Sequence, residues 1–136
     1  YPGVPFDEGF WVLGTHGVRV FRADGSQVYF SGAVELLDHA GYLYLVQLAD
    51  GSTAAMDEYS RVAATDVERL VTDGLTGISF ALTSAGELYS SDGALLASGC
   101  AGEVLNMNAL CTEGPLTGWK NSSGEWIICL VDDTSD

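Results

Sequence analysis

A tight glycine turn followed by a short apolar strand recurs four times in this chain, and this repeat is the feature that most limits the possible folds. The turn glycines are 34, 35 and 38 residues apart: Gly17, Gly51, Gly86 and Gly124. Glycine suits the last turn position because a positive φ costs it nothing. Such spacing predicts repeated units, each a small antiparallel β-meander.

A second series of markers has the same period. Val34, Val67 and Val104 each lie near the start of an apolar stretch, and they are 33 and 37 residues apart. Apolar and polar residues alternate at 17–21 and 27–30, as a half-buried strand requires. Evidence for helices is weak throughout. The sequence therefore predicts an all-β fold.

The length of 136 residues is that of one ordinary domain. The markers divide residues 1–136 into units at about 8–32, 33–65, 66–101 and 102–136. The first unit starts part-way through, at Phe10, and the last ends after its third strand. We therefore expect three and a half to four repeats of about 35 residues within a single all-β repeat domain.

One repeat resembles a known family. Residues 80–89, with the sequence FALTSAGELY, are similar to the blade of the regulator-of-chromosome-condensation type of β-propeller. The resemblance implies a propeller-like shape. The longer glycine-rich insertions of that family are missing, so its nucleotide-exchange and chromatin functions are not implied. An open β-sandwich or a β-solenoid is the alternative architecture. Unpaired edges favour either closure or assembly.

The charge balance excludes several partners. There are 19 acidic residues and 5 basic ones, which gives a net charge of −14. Nucleic-acid binding depends on many Lys and Arg side chains, and an anionic membrane surface would repel this chain. No apolar stretch reaches the roughly 18 residues of a membrane span. We therefore expect neither nucleic-acid binding nor membrane insertion. Acidity itself favours solubility, or attraction to cations or to a basic partner.

The three cysteines match no zinc or redox motif. Their spacings are 11 and 18 residues. Cys100 and Cys111 flank a strand-like stretch and are candidates for a disulfide if the product is exported. Cys129 lies in an apolar run, where a buried, inert thiol is the expectation.

The sequence contains few arrangements of residues that could support catalysis, and we expect that the chain is not an enzyme. His16 and His39 both fall in predicted turns, where a solvated side chain is the ordinary outcome. Asp38 precedes His39, but a triad would also need an oriented Ser or Cys nucleophile. Adjacent carboxylates on a strand point to opposite faces, which suits no glycosidase.

Calcium is the one cofactor that the sequence leaves open; otherwise we expect none. Asp132, Asp133 and Asp136 form an oxygen-rich tail of the kind that hard cations prefer, although a terminal acidic tail is more often disordered. The Asp-Gly pairs at 24–25 and 92–93 are typical of turn chemistry.

Three aromatic residues are candidate ligand-binding side chains. Trp119, Tyr42 and Tyr89 could stack on sugar rings, or they could fill the cores of the units. Trp119 is the strongest candidate because Lys120 and Asn121 follow it.

We expect a non-catalytic structural or interaction module, a subunit of a larger extracellular or virion-surface assembly that associates with itself or with a protein partner. The alternative is a carbohydrate-binding, lectin-like β-propeller module with a glycan partner. A small enzyme using Asp38 and His39 is a third hypothesis. Only turn residues and apolar positions repeat along the chain, which favours a scaffold over either alternative.

Overall fold

A computed structural model describes residues 3–131 of the chain, and for residues 129–131 it describes the backbone alone. These residues form sixteen strands in four open, four-stranded antiparallel sheets that follow one another along the chain. No helix occurs among them. The prediction of an all-β fold is confirmed.

The strands of each sheet are consecutive in the chain and pair in order. The first sheet contains β1 (Val4–Phe6), β2 (Gly9–Leu13), β3 (Gly17–Arg22) and β4 (Gln27–Ser31). The second contains β5 (Ala33–Ala40), β6 (Leu43–Leu48), β7 (Thr53–Met56) and β8 (Val62–Thr65). The third contains β9 (Val67–Thr72), β10 (Ser79–Thr83), β11 (Leu88–Tyr89) and β12 (Leu95–Ala97). The fourth contains β13 (Cys100–Leu105), β14 (Asn108–Glu113), β15 (Leu116–Lys120) and β16 (Trp126–Val131).

Two strands were missed by the sequence patterns. Val4–Phe6 pairs with β2, so the first sheet is complete and does not start at Phe10. Asn108–Glu113 is the second strand of the fourth sheet. The last unit therefore does not end after its third strand, because β15 (Leu116–Lys120) is its third strand and β16 (Trp126–Val131) its fourth. The array contains four full meanders.

Side-chain oxygens fix six of the hairpin turns. In each of them an Asp or Asn side chain accepts a hydrogen bond from the backbone N–H two residues later, which is the Asx-turn pattern. The pairs are Asp24 with Ser26 (2.9 Å), Asp50 with Ser52 (2.9 Å), Asp57 with Tyr59 (2.9 Å), Asp73 with Leu75 (2.8 Å), Asp92 with Ala94 (3.2 Å) and Asn121 with Ser123 (3.0 Å). The glycine of the turn at Asp50, Gly51, has a φ of 90°, a conformation that favours glycine.

The sheets stack in chain order through three apolar cores. One core lies between the first and second sheets and includes Val20, Phe30 and Tyr44. The next lies between the second and third sheets. The last joins the third and fourth sheets and includes Phe80. The strand pairs in most extensive contact across sheets all belong to consecutive sheets.

The two middle sheets are buried on both faces, as the alternation in β6 shows. Tyr44 and Val46 pack toward the first sheet, whereas Leu43 and Leu45 pack toward the third. Successive side chains on a strand point to opposite faces, so a continuous apolar run serves both cores. The first and fourth sheets have a neighbour on one face only. Among residues 3–131 there is no helix with the length and apolarity needed to cross a lipid bilayer.

Candidate functional site

The outer face of the first sheet is largely apolar. Val18 and Val20 of β3 point into the first core, so Arg19 and Phe21 point away from it. The strand register extends this outer surface to residues of β2 and β4. We call it the leading face, and its members are Phe10, Val12, Arg19, Phe21 and Tyr29.

The side chains of the leading face are ordered by contacts with one another. Phe10 stacks on Phe21 with ring centroids 5.0 Å apart, although 43% of Phe10 is exposed. The Arg19 guanidinium lies 4.9 Å from the centroid of the Tyr29 ring, a cation–π geometry. A groove of about 380 Å³ is lined by Val12, Arg19, Phe21 and Tyr29 together with His16. This surface could receive an apolar partner.

Arg19 is a cation without a carboxylate partner within residues 3–131. Its guanidinium donates to the neutral side-chain oxygen of Gln27 at 3.4 Å. Three other basic side chains form ion pairs: Arg22 with Glu58 (3.1 Å), Arg61 with Asp57 (2.7 Å) and Lys120 with Glu113 (3.0 Å). The leading face therefore combines aromatic surface with one uncompensated positive charge.

The outer face of the fourth sheet carries a second apolar row. Leu110 pairs with Trp119, and Trp119 pairs with Ile128, so the three side chains lie side by side across β14, β15 and β16. Ile128 is 58% exposed, and the other two are half-buried. We call this surface the trailing face, which also includes Thr112 and Thr117.

Each earlier sheet has a row of apolar side chains equivalent to that of the trailing face, and the next sheet in the stack covers that row. One row across the second, third and fourth strands packs against the next sheet: Trp11–Val20–Val28 in the first sheet, Leu45–Ala55–Ala64 in the second and Leu82–Leu88–Ala97 in the third. Leu110–Trp119–Ile128 occupies the same strands in the fourth sheet. The trailing face thus has the composition of an interior face and lacks a covering sheet in the described chain.

The leading face shows the converse relation. The side chains that correspond to it in later sheets pack against the preceding sheet: Tyr44 and Met56 in the second, Ala81 and Tyr89 in the third, Ala109 and Trp126 in the fourth. The first sheet is preceded by no other sheet within residues 3–131. Both ends of the stack therefore present surfaces of the kind that the chain buries between its own sheets.

The three aromatic residues singled out by sequence are not brought together. Trp119 lies on the trailing face. Tyr42 is 69% exposed in the turn between β5 and β6, and it lines a groove with Ser79. Tyr89 is half-buried against the core between the second and third sheets, where burial and the neighbouring Glu87 carboxylate raise its pKa. These residues form no common binding site.

His39 is packed rather than solvated, so the expectation of a solvated turn residue is wrong for it. It lies in β5, and its imidazole is only 3% exposed. The ring lies against that of Tyr44, with centroids 4.5 Å apart and 36° between the ring planes, and its Nδ1 lies 3.2 Å from an oxygen of Asp7. Asp38 accepts from the backbone N–H of His39, not from its ring. His16 is exposed in its turn, as expected.

Cys100 and Cys111 face one another directly across β13 and β14. Both are free thiols, with Sγ atoms 3.6 Å apart. Burial, together with the neighbouring Cys111, raises the pKa of the Cys100 thiol to about 12. A disulfide needs about 2.05 Å between sulfurs, so the pair is close but unbonded. The backbone of Cys129 pairs with Gly118 in the same sheet.

The acidic positions considered for calcium act as turn residues where they are described. Asp24 accepts hydrogen bonds from the backbone and hydroxyl of Ser26, and Asp92 accepts from Ala94. In the described part of the chain no cluster of three or more His, Cys, Asp or Glu side chains could hold a metal ion. Asp132, Asp133 and Asp136 lie outside the described residues.

No protein-family model, curated protein or solved structure matches this chain. Its own surfaces are therefore the guide to function. The leading and trailing faces lie at opposite ends of the stack of sheets, and each could bind another apolar sheet surface.

Proposed function

We propose that this chain is a non-catalytic structural or interaction module that works as one subunit of a larger assembly, with the leading and trailing faces as its binding surfaces. One observation carries the proposal. The row Leu110–Trp119–Ile128 occupies positions whose side chains pack against a following sheet in each of the three earlier sheets.

The hydrophobic effect supplies the driving force. Fully burying a side chain such as Ile128 or Phe10 contributes about 1.5–3 kcal/mol. Exposed apolar patches of several hundred Å² on a soluble protein commonly mark interaction sites. Each outer face presents several such side chains in one plane, so covering either face is favourable.

We infer that the covering element is another sheet of the same kind. Stacked four-stranded antiparallel meanders are the arrangement of propeller blades, which is the shape that the sequence resemblance implies. Extending the stack also protects the apolar side chains at its ends. Closure into a full propeller is therefore part of the proposal, either within one chain or between chains.

A glycan is the less favoured occupant of the trailing face. A sugar site needs a few well-placed polar groups around an aromatic platform. The register neighbours of Trp119 are Leu110 and Ile128, and the hydroxyls of Thr112 and Thr117 lie within hydrogen-bond distance of each other at 3.3 Å. This surrounding favours a protein contact. The acidic composition suits an extracellular or virion-surface setting for such an assembly.

Light scattering over a wide concentration range tests the proposal. We expect the wild-type chain to form particles larger than its own 14.3 kDa. Ile128→Arg should return the particle to the mass of one chain, because it places a charge on the trailing face. Leu75→Arg is the matched control, because Leu75 is 69% exposed in a loop between β9 and β10. A wild-type chain that stays at single-chain mass, with Trp119 freely quenched by acrylamide once Trp11 and Trp126 are replaced by Phe, would contradict the proposal.

A further inference from the structure

We infer that the trailing face of one chain docks on the leading face of a second copy of the same chain, and that two copies close a ring of eight sheets. This inference rests on the proposed function, because it takes the two outer faces as binding surfaces and names their occupant. The stacking inside the chain supplies the template.

The stacking inside the chain indicates which outer face of one copy contacts which outer face of the next. In the first two contacts between sheets, the first strand of the following sheet packs over the middle strands of the sheet before it: β5 contacts β2 and β3, and β9 contacts β6 and β7. In the third contact β13 packs mainly over β9, and β14 contacts β12. All three contacts join the trailing side of one sheet to the leading side of the next, and a contact that continues them places the first sheet of a second copy against the trailing face. It joins unlike faces, so each chain offers one surface of each kind.

Charge favours the same pairing. Arg19 is a cation without a carboxylate partner on the leading face. The trailing side of the fourth sheet carries the exposed Glu103, because its neighbours Gly102 and Val104 both face the third sheet. Glu103 forms no ion pair within residues 3–131. Two leading faces would bring two Arg19 cations together, and two trailing faces would bring two Glu103 carboxylates together. Unlike faces avoid both repulsions.

The surface area that would be buried favours a closed ring of two copies over an open row of copies. Four strands about 4.8 Å apart and five residues long present about 300 Å² per face. One contact therefore buries about 600 Å², which is the size of a weak packing contact, whereas a ring of two copies buries four faces and about 1,200 Å², the lower bound for a specific interface. Eight sheets also match the largest common propeller.

Analytical ultracentrifugation of the 136-residue chain tests the stoichiometry. The expected result is a reversible particle of twice the 14.3 kDa chain mass. Unlimited growth or another stoichiometry would overturn the ring of two copies while supporting the proposed function. A single-chain particle with Trp119 shielded from acrylamide would show that the two outer faces of one chain cover each other. This result would overturn the inference that a second copy binds there. A single-chain particle with Trp119 freely quenched would overturn both.

Mixing two variants tests the pairing of unlike faces. Ile128→Arg disables the trailing face, and Phe10→Arg disables the leading face; both side chains are already substantially exposed, at 58% and 43%. Each variant alone should remain a single chain. An equimolar mixture should form two-chain particles at high concentration, because one intact contact remains.

A pairing of like faces predicts a different outcome. If trailing faces paired with each other, Phe10→Arg alone would still dimerise, which would overturn the inference. Circular dichroism confirms that each variant is folded. Should either arginine variant fail to fold, Ile128→Thr and Phe10→Thr replace them, with weakened two-chain association on dilution as the expected result and unchanged association as the overturning one.

Discussion

The carboxylate of Asp73 accepts a 2.7 Å hydrogen bond from the backbone N–H of Met107, which ties the third sheet to the fourth. Its other oxygen accepts from the backbone N–H of Asn106 at 2.9 Å. Asn106 and Met107 both have positive φ, 52° and 65°, in the turn between β13 and β14. A turn without glycine is thus held in a left-handed conformation by a side chain from the neighbouring sheet.

Replacing Asp73 by Asn should destabilise the fold by about 1–3 kcal/mol, the usual cost of leaving a buried donor unsatisfied. The amide oxygen can still accept from Leu75, Thr76 and Asn106, but the NH₂ group then faces the N–H of Met107. Urea unfolding measures the change. Asp50→Asn is the control, because Asp50 serves an exposed turn and should cost far less. Equal losses in the two variants would contradict the inter-sheet role.

The same carboxylate should make stability depend on acid pH. Burial alone would raise the pKa of Asp73, but four backbone N–H donors outweigh it and hold the pKa well below its usual range. The unfolded chain therefore binds a proton near pH 4 that the folded chain does not bind. The stabilisation is complete above that pH and is lost as the pH falls through the lower folded value.

The measurement is the difference in unfolding free energy between wild type and Asp73→Asn at about pH 7, pH 4 and pH 2.5. This difference should be largest at neutral pH and should shrink toward the lowest pH. A difference that is constant across the pH range would mean that the charge of the Asp73 carboxylate does not help to hold the turn between β13 and β14.

Local patterns in the sequence account for most strands, but not for what joins the sheets. Turn glycines and apolar alternation are local signals, and they predicted the strands around Gly17, Gly51 and Gly86. The β13–β14 hairpin was missed because its turn contains no glycine and depends on Asp73, more than 30 residues earlier.

For the same reason, the sequence predicted only part of the candidate surface. Trp119 was singled out by its sequence neighbours, Lys120 and Asn121. Its neighbours on the trailing face are Leu110 and Ile128, which the strand register brings beside it. No pattern within one strand could predict that row, because each strand contributes a single residue to it.

The Cys100 thiol should make stability depend on alkaline pH. Its pKa is raised to about 12 by burial and by Cys111, whereas an unfolded thiol ionises near pH 8.5. The stabilisation is therefore complete below pH 8.5 and is lost as the pH rises toward the folded value. Urea midpoints measured at about pH 7.5 and pH 10.5 should fall more in wild type than in Cys100→Ala. Equal falls would show that other groups dominate the alkaline response.

The three separate cores predict that damage to one core stays local. Phe30 is fully buried between the first and second sheets, and Phe80 is fully buried between the third and fourth. Phe30→Leu should cost about 1–3 kcal/mol and should speed amide hydrogen exchange mainly in β3 to β6, because stacked repeats contact only their neighbours. Phe80→Leu is the matched variant, and it should speed exchange mainly in β9 to β14. Hydrogen exchange followed by mass spectrometry resolves the two regions. If both variants accelerated exchange uniformly from β2 to β15, the four sheets would unfold as one cooperative unit, and the stack would not behave as a row of separable contacts.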